Sequence, residues 1–173
     1  MPSTPSNPRV SIGSYQQLAE AIIRQSTDAG MFETMRRRDP DRLVTGLLGE
    51  LAASLYIFGS IDPWVQARNR QFQNRPTPDL YPYKGLEIKT LCNPTHALAP
   101  VDHVFRSDVS TFYVRFLGEN ADTGRAYEML GWLTAIQART IWESSQTTFS
   151  DGWRCIPVGC LTPPDLIPWR VDD

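Results

Sequence analysis

Lysine, histidine and cysteine are scarce in this chain, and each scarcity closes off a class of function. The two histidines are His96 and His103, and the three cysteines, Cys92, Cys155 and Cys160, are odd in number with no Cys-x-x-Cys spacing. Neither a disulfide framework nor a zinc site follows from such a set, and a reducing, cytoplasmic setting is expected. No apolar run approaches the ~20 residues of a membrane span, and Met1 to Pro8 is rich in Pro and Ser without a basic and then apolar signal pattern. A soluble protein with no membrane association is therefore expected. The chain also lacks a basic excess: its formal net charge is −2. That argues against a protein that coats nucleic acid through bulk electrostatics. It leaves a nuclease open, because a metal site built of acids lowers the net charge while a local arginine patch meets phosphates. Of the 17 basic residues only Lys84 and Lys89 are lysines.

What is present fits one domain, since 173 residues bury a substantial fraction of their surface. Residues 1–13 are expected to form a flexible lead-in and residues 14–173 a single domain. Ser14, with Gln17 three residues on, has the pattern of a capping box opening a helix. Leu18, Ala21, Ile22 and Met31 give that helix its apolar side, and Gly30 ends or kinks it. A second helix is framed by Asp39 as cap, Pro40 in its first turn and Gly59 as its stop. Leu43, Val44, Leu47, Leu48, Leu51, Ala52, Leu55 and Phe58 cover most of its circumference, so it should be buried, with Glu50 in its middle. Ile61 to Pro78 reads as a polar segment and Leu91 to Ser110 as irregular chain. Thr111 to Leu117 and Ala126 to Leu133 read as a hairpin of β-branched and aromatic residues turning at Gly118 to Gly124. Thr134 caps a short helix through Arg139, Trp153 to Val158 forms a last strand, and the Pro-rich tail from Thr162 is irregular.

The chemistry concentrates at Pro78-Asp79 and Glu87-Ile88-Lys89. Read as a strand, Leu86-Glu87-Ile88-Lys89 alternates, so Leu86 and Ile88 face a core while Glu87 and Lys89 share the opposite face. Pro82-Tyr83-Lys84-Gly85 carries the residues of a tight turn, which would fold Asp79 back beside Glu87 on a hairpin. Two carboxylates and an ammonium would then surround a point where a divalent metal meets a phosphodiester. Glu50 adds a fourth polar residue: a carboxylate within an apolar helix is costly unless it is paired, hydrogen-bonded or metal-bound. A salt bridge to Arg24 is the main rival explanation for it.

Gly49-Glu50, Pro78-Asp79 and Glu87-Ile88-Lys89, in that order over roughly residues 40 to 140, resemble the PD-(D/E)XK nuclease superfamily. The resemblance implies an α/β restriction-endonuclease-like core, a central mixed sheet flanked by helices, and a metal-dependent DNA endonuclease of restriction, homing, repair or junction-resolving type. It implies Asp79, Glu87 and the carbonyl of Ile88 as ligands of Mg²⁺, with Mn²⁺ able to substitute. Lys89 would orient the attacking water, and Glu50 would bind a second metal or hold a metal-bound water. Hard oxygen ligands suit Mg²⁺, and such an ion neutralises the charge that develops on a phosphoryl group. The resemblance also allows a homodimer or higher homo-oligomer, so that each strand of DNA meets an active site.

Arg68, Arg70 and Arg75 lead directly into Asp79 and are read as DNA contacts. Arg36-Arg37-Arg38 reads instead as a solvated helix end, and His103 as a surface residue near Arg106. The alternative function is a binding module for nucleic acid or protein that keeps the nuclease-like fold without cleavage. An unrelated α+β interaction domain would leave Glu50 far from the Asp79 hairpin.

Overall fold

The computed structural model of the protein describes residues 6–73, 75, 77–91, 96–100, 109–145, 148–149 and 153–168. Its longest helix, α3 (Pro40–Phe58), forms for the reasons its ends announce. Asp39 accepts a hydrogen bond from Arg42 N, Pro40 occupies the first turn, and Gly59 closes the helix at φ 64, a left-handed conformation that suits glycine. Leu47, Leu48, Leu51, Ala52 and Ala53 are each at most 4 % exposed, so the helix is interior on most of its sides.

Around α3 lie β1 (Arg9–Ser11), α1 (Gly13–Asp28), α2 (Glu33–Arg38) and α4 (Asp62–Phe72). The remaining elements are β2 (Leu86–Leu91), β3 (His96–Pro100), β4 (Ser110–Asn120), β5 (Gly124–Thr134), α5 (Ala135–Ser145), β6 (Thr148–Phe149) and β7 (Trp153–Pro157). A four-stranded sheet runs β1-β5-β4-β2, and a smaller one runs β3-β7-β6. β2 pairs with β4 in parallel, while β4 with β5 and β1 with β5 are antiparallel. The architecture is thus mixed α/β, a mixed central sheet flanked by helices. None of the described helices is long and apolar enough to cross a membrane.

The two faces of the large sheet carry two cores. Leu86, Ile88, Phe112, Val114, Tyr127 and Met129 join the main core with Leu47, Leu48 and Leu51 of α3 and Trp64 of α4. Leu91, Tyr113, Leu130 and Leu133 face the other way, onto Ala138 of α5 and Ile156 of β7. Among the described residues β2 therefore lies at the end of the sheet, with α3 across one face and the Asp79 turn at its outer edge.

Several expectations need correction. The expected flexible lead-in contains β1, which pairs with Glu128, Tyr127 and Ala126 of β5, followed by Ile12 at 0 % exposure. In α1 no side chain caps the start; Ala19, Ile23 and Ser26 face inward, whereas Leu18 is 53 % exposed. The buried stripe lies one residue later than the apolar pattern suggests, because Ile12 plugs the core immediately ahead of the helix. The supposedly polar stretch after Ile61 folds as α4, with Pro63 in its first turn and Trp64, Ala67 and Arg68 turned inward. The Asp79 hairpin is absent among the described residues: a turn from Asp79 to Gly85, containing the cis Tyr81-Pro82 bond, leads into β2. The β4–β5 hairpin and the start of α5 follow expectation, and Thr134 and Gln137 cap α5 reciprocally through bonds of 3.1 and 2.9 Å. His103 and Arg106 lie outside the described residues.

Candidate functional site

The alternation in β2 puts Leu86 and Ile88, 1 % and 4 % exposed, into the core beneath α3 and turns Glu87 and Lys89 to the opposite face. There the Lys89 ammonium lies 3.9 Å from the Glu87 carboxylate, with 31 % and 20 % of the two side chains exposed. Glu87 stands opposite Thr111 and Lys89 opposite Tyr113 in the register with β4. The Tyr113 phenol is pushed well above its ordinary value, first by burial and then by the Glu87 charge, against a hydrogen bond with Thr111 that lowers it. Tyr113 is thus a neutral phenol under the Glu87–Lys89 face, a residue no motif reveals.

Asp79 reaches β2 from the preceding turn, and its Oδ2 accepts a 2.7 Å hydrogen bond from Ile88 N. Since β2 pairs with β4 along its other side, this carboxylate closes part of an open strand edge. N–H and C=O of one strand residue project to the same side, so the Ile88 carbonyl faces the Asp79 edge too. Asp79 is placed by that bond rather than by a hairpin to Glu87, which corrects the sequence expectation while keeping Asp79 and Ile88 together.

Glu50 approaches the same edge from α3. Helix and strand come close at Gly49, where a Cβ would overlap Thr90 Oγ1 of β2. Glycine is required there by that contact. One residue on, Glu50 is 14 % exposed and its Oε2 lies 3.1 Å from Arg68 Nη2, with Arg68 itself 1 % exposed. The same guanidinium donates at 3.3 Å to the backbone carbonyl of Asp79. It lies 5.9 Å from the ring centroid of Phe32 and 5.7 Å from that of Trp64. Phe32 holds φ 58, a left-handed conformation costly for a bulky side chain, immediately before α2. Arg68 thereby ties α4 to α3 and to the Asp79 turn. Burial pushes the Glu50 carboxyl up from 4.5 to about 8; Arg68 pulls it down, Asp79 pushes it up and Lys89 pulls it down. The Glu50 charge therefore senses Asp79 and Lys89 as well as Arg68, across the edge of β2.

Two expectations fail here. Arg68 is not an exposed DNA contact but the buried counter-ion of Glu50, the role sequence reasoning offered to Arg24; a helix start at Asp62-Pro63 followed by Trp64 and Ala67 was the signal for it. Arg70 is partly buried, its guanidinium 4.2 Å from the Tyr81 ring centroid, while Arg75 is exposed. The expected convergence of Glu50, Asp79 and Glu87 is also not found, because among the described residues no three His, Cys, Asp or Glu side chains gather as a metal-holding group. The set is instead split: Glu50 with Arg68 on the helix side, Glu87 with Lys89 on the far face, and Asp79 with Ile88 at the edge between them. The donors at that edge, carboxylate oxygens and a backbone carbonyl, are the hard ligands that fit Mg²⁺.

No protein-family model matches the chain, and neither a curated protein nor a solved structure matches it.

Proposed function

We propose that this chain is a metal-dependent DNA endonuclease hydrolysing phosphodiester bonds, with the residue pattern of a PD-(D/E)XK nuclease. The observation that carries the reading is the arrangement at the edge of β2. Asp79 is bonded to Ile88 N, Glu87 and Lys89 flank Ile88, and Glu50 is within electrostatic reach of Asp79 and Lys89. In this proposal Asp79 and the Ile88 carbonyl at the edge, with Glu87 reaching them from the far face, would hold Mg²⁺ or Mn²⁺. When bound, the ion offsets charge on the phosphoryl oxygens and lowers the pKa of a water.

The chain's own residues do the rest. Lys89 orients the attacking water and stabilises negative charge as it develops on the phosphoryl group. Arg68 fixes the Asp79 turn through the Asp79 carbonyl, so the carboxylate is positioned before substrate arrives. Glu50, with a pKa near 8, exchanges a proton close to neutral pH and holds a water at the edge. Arg75, exposed on the approach to Asp79, contacts the DNA backbone, while Arg70 is held against the Tyr81 ring. A cytoplasmic location and a homo-oligomer acting on both strands belong to the same proposal.

One observation favours a second reading, a binding module without cleavage: the Glu50 carboxylate is already engaged by Arg68. Incubation with supercoiled plasmid, linear duplex, single-stranded DNA and a four-way junction, in Mg²⁺ and in EDTA, separates the two. Mg²⁺-dependent strand breaks in any of the four support the enzyme. DNA retention with no breaks in all four supports the binding module.

A further inference from the structure

We infer that the exposed arginines where α1, α2 and α3 meet form a docking face for the phosphate backbone of duplex DNA. The residues are Arg24, Arg36, Arg38 and Arg42. The inference rests on the nuclease reading and deepens it by naming the surface that grips substrate away from the edge of β2.

A docking surface is needed because the segment leading into Asp79 supplies little of one: Arg68 is 1 % exposed and Arg70 lies against Tyr81. Arginines are free elsewhere. Arg36, Arg37 and Arg38 fill the last turn of α2, and Arg42 follows in the first turns of α3, all exposed. Arg37 is engaged by Glu33 at 2.6 Å. Among the described residues Arg24, Arg36, Arg38 and Arg42 have no ion-pair partner. Arg24 and Arg36 rim one hollow of about 320 Å³ whose floor includes Ile23, Leu43 and Val44, so two helices bring their charges together. Four acids lie nearby: Glu33 is engaged by Arg37, Glu20 lines the same hollow, Asp39 caps Arg42 N, and Asp41 is exposed beside Arg42. A helix C-terminus favours cations, which accounts for a basic residue in the last turn of α2 but not for Arg24 and Arg42 on other helices. In a chain of net charge −2 this concentration is local.

Position links the face to the site. Leu43, in the floor of the hollow, and Glu50 are seven residues apart on α3, nearly two full turns, so they share one helix face about 10.5 Å apart. At the opposite end of α2, Phe32 lies against Arg68, the partner of Glu50.

The test is DNA binding by the full chain in EDTA, where no metal-dependent cleavage interferes, followed by fluorescence anisotropy of a labelled duplex over a range of NaCl concentrations. Arg36→Ala, Arg38→Ala and Arg42→Ala combined should flatten the slope of log K against log salt by roughly 2 to 3, and each alone by roughly 0.9. Arg37→Ala, whose charge Glu33 already offsets, should change the slope by less than any of these. Melting of each variant should match wild type, since the side chains are exposed. An unchanged slope and affinity in the triple variant overturns the inference, as does equal, arginine-dependent binding to phosphatidylserine vesicles. Failure of the nuclease reading looks different: no DNA is cleaved in Mg²⁺, yet the arginine-dependent salt slope remains.

Discussion

Glu50 is the residue whose chemistry the fold changes most. An ordinary glutamate is ionised at neutral pH; here burial raises its carboxyl to about 8 in spite of Arg68. The sign of the linkage follows. Between about 4.5 and about 8 the unfolded chain releases this proton while the folded chain keeps it, so the contribution to stability is full below that window and is lost as pH rises through it. Urea unfolding in EDTA should show Glu50→Gln gaining on wild type between pH 5 and pH 8.5, and parallel pH profiles for the two proteins would contradict the assignment. Arg68→Met should cost about 3 kcal/mol well above pH 8, where Glu50 must either stay charged without its partner or hold its proton against a still higher pH, and less at pH 6, where Glu50 is already protonated. Adding Glu50→Gln to it should recover part of the loss. At this scale the sequence was half legible. Glu87 and Lys89 could be placed because a period of two fixes strand faces, and Glu50 stood out as polar among apolar neighbours. The partner of Glu50 was hidden, since an arginine among Asn and Gln residues looks solvated until Trp64 and Phe32 close over it.

Elements set the distances that residues exploit, and the closest approach is between α3 and β2. A methyl group at position 49 would overlap Thr90 Oγ1, so Gly49→Ala must push the helix off the strand and move Glu50 from Arg68. Overpacking of this kind typically costs 1–3 kcal/mol, so a loss of roughly 2 is expected. Thr90→Ala in the same chain should restore some of it, and a Gly49→Ala protein as stable as wild type would show that the contact is slack. α3 was readable throughout because cap, first-turn proline, apolar circumference and terminal glycine all agree. α4 is hard to read from sequence because its interior face is short, Trp64, Ala67 and Arg68, and one of those three is charged. The Asp79 turn was misjudged for a related reason. Turn residues announce a reversal of the chain, but not that the reversal ends in one side chain bonding a strand edge.

Across the whole molecule, the expected mixed sheet with helices on it is present, and among the described residues β2, paired in parallel with β4, is the last strand of its sheet. No local pattern encodes that pairing, since 18 residues of chain separate Leu91 from Ser110 and the register depends on both cores forming. If Asp79, Glu87 and Ile88 hold Mg²⁺ together, the ion binds the folded state alone and stabilises it by mass action. The wild-type melting temperature should then rise with Mg²⁺, while Asp79→Asn should respond little; equal responses would mean that Asp79 is no ligand.

Plasmid cleavage by purified wild type, Asp79→Ala and Lys89→Ala, each in Mg²⁺ and in EDTA, tests the central claim most directly. Wild type should nick or linearise the plasmid in Mg²⁺ only. Both variants should remain folded and lose rate by orders of magnitude, because under the proposal one would remove a metal-holding carboxylate and the other the cation beside the attacking water. Cleavage by Asp79→Ala at the wild-type rate, or wild-type cleavage that persists in EDTA, would contradict the account.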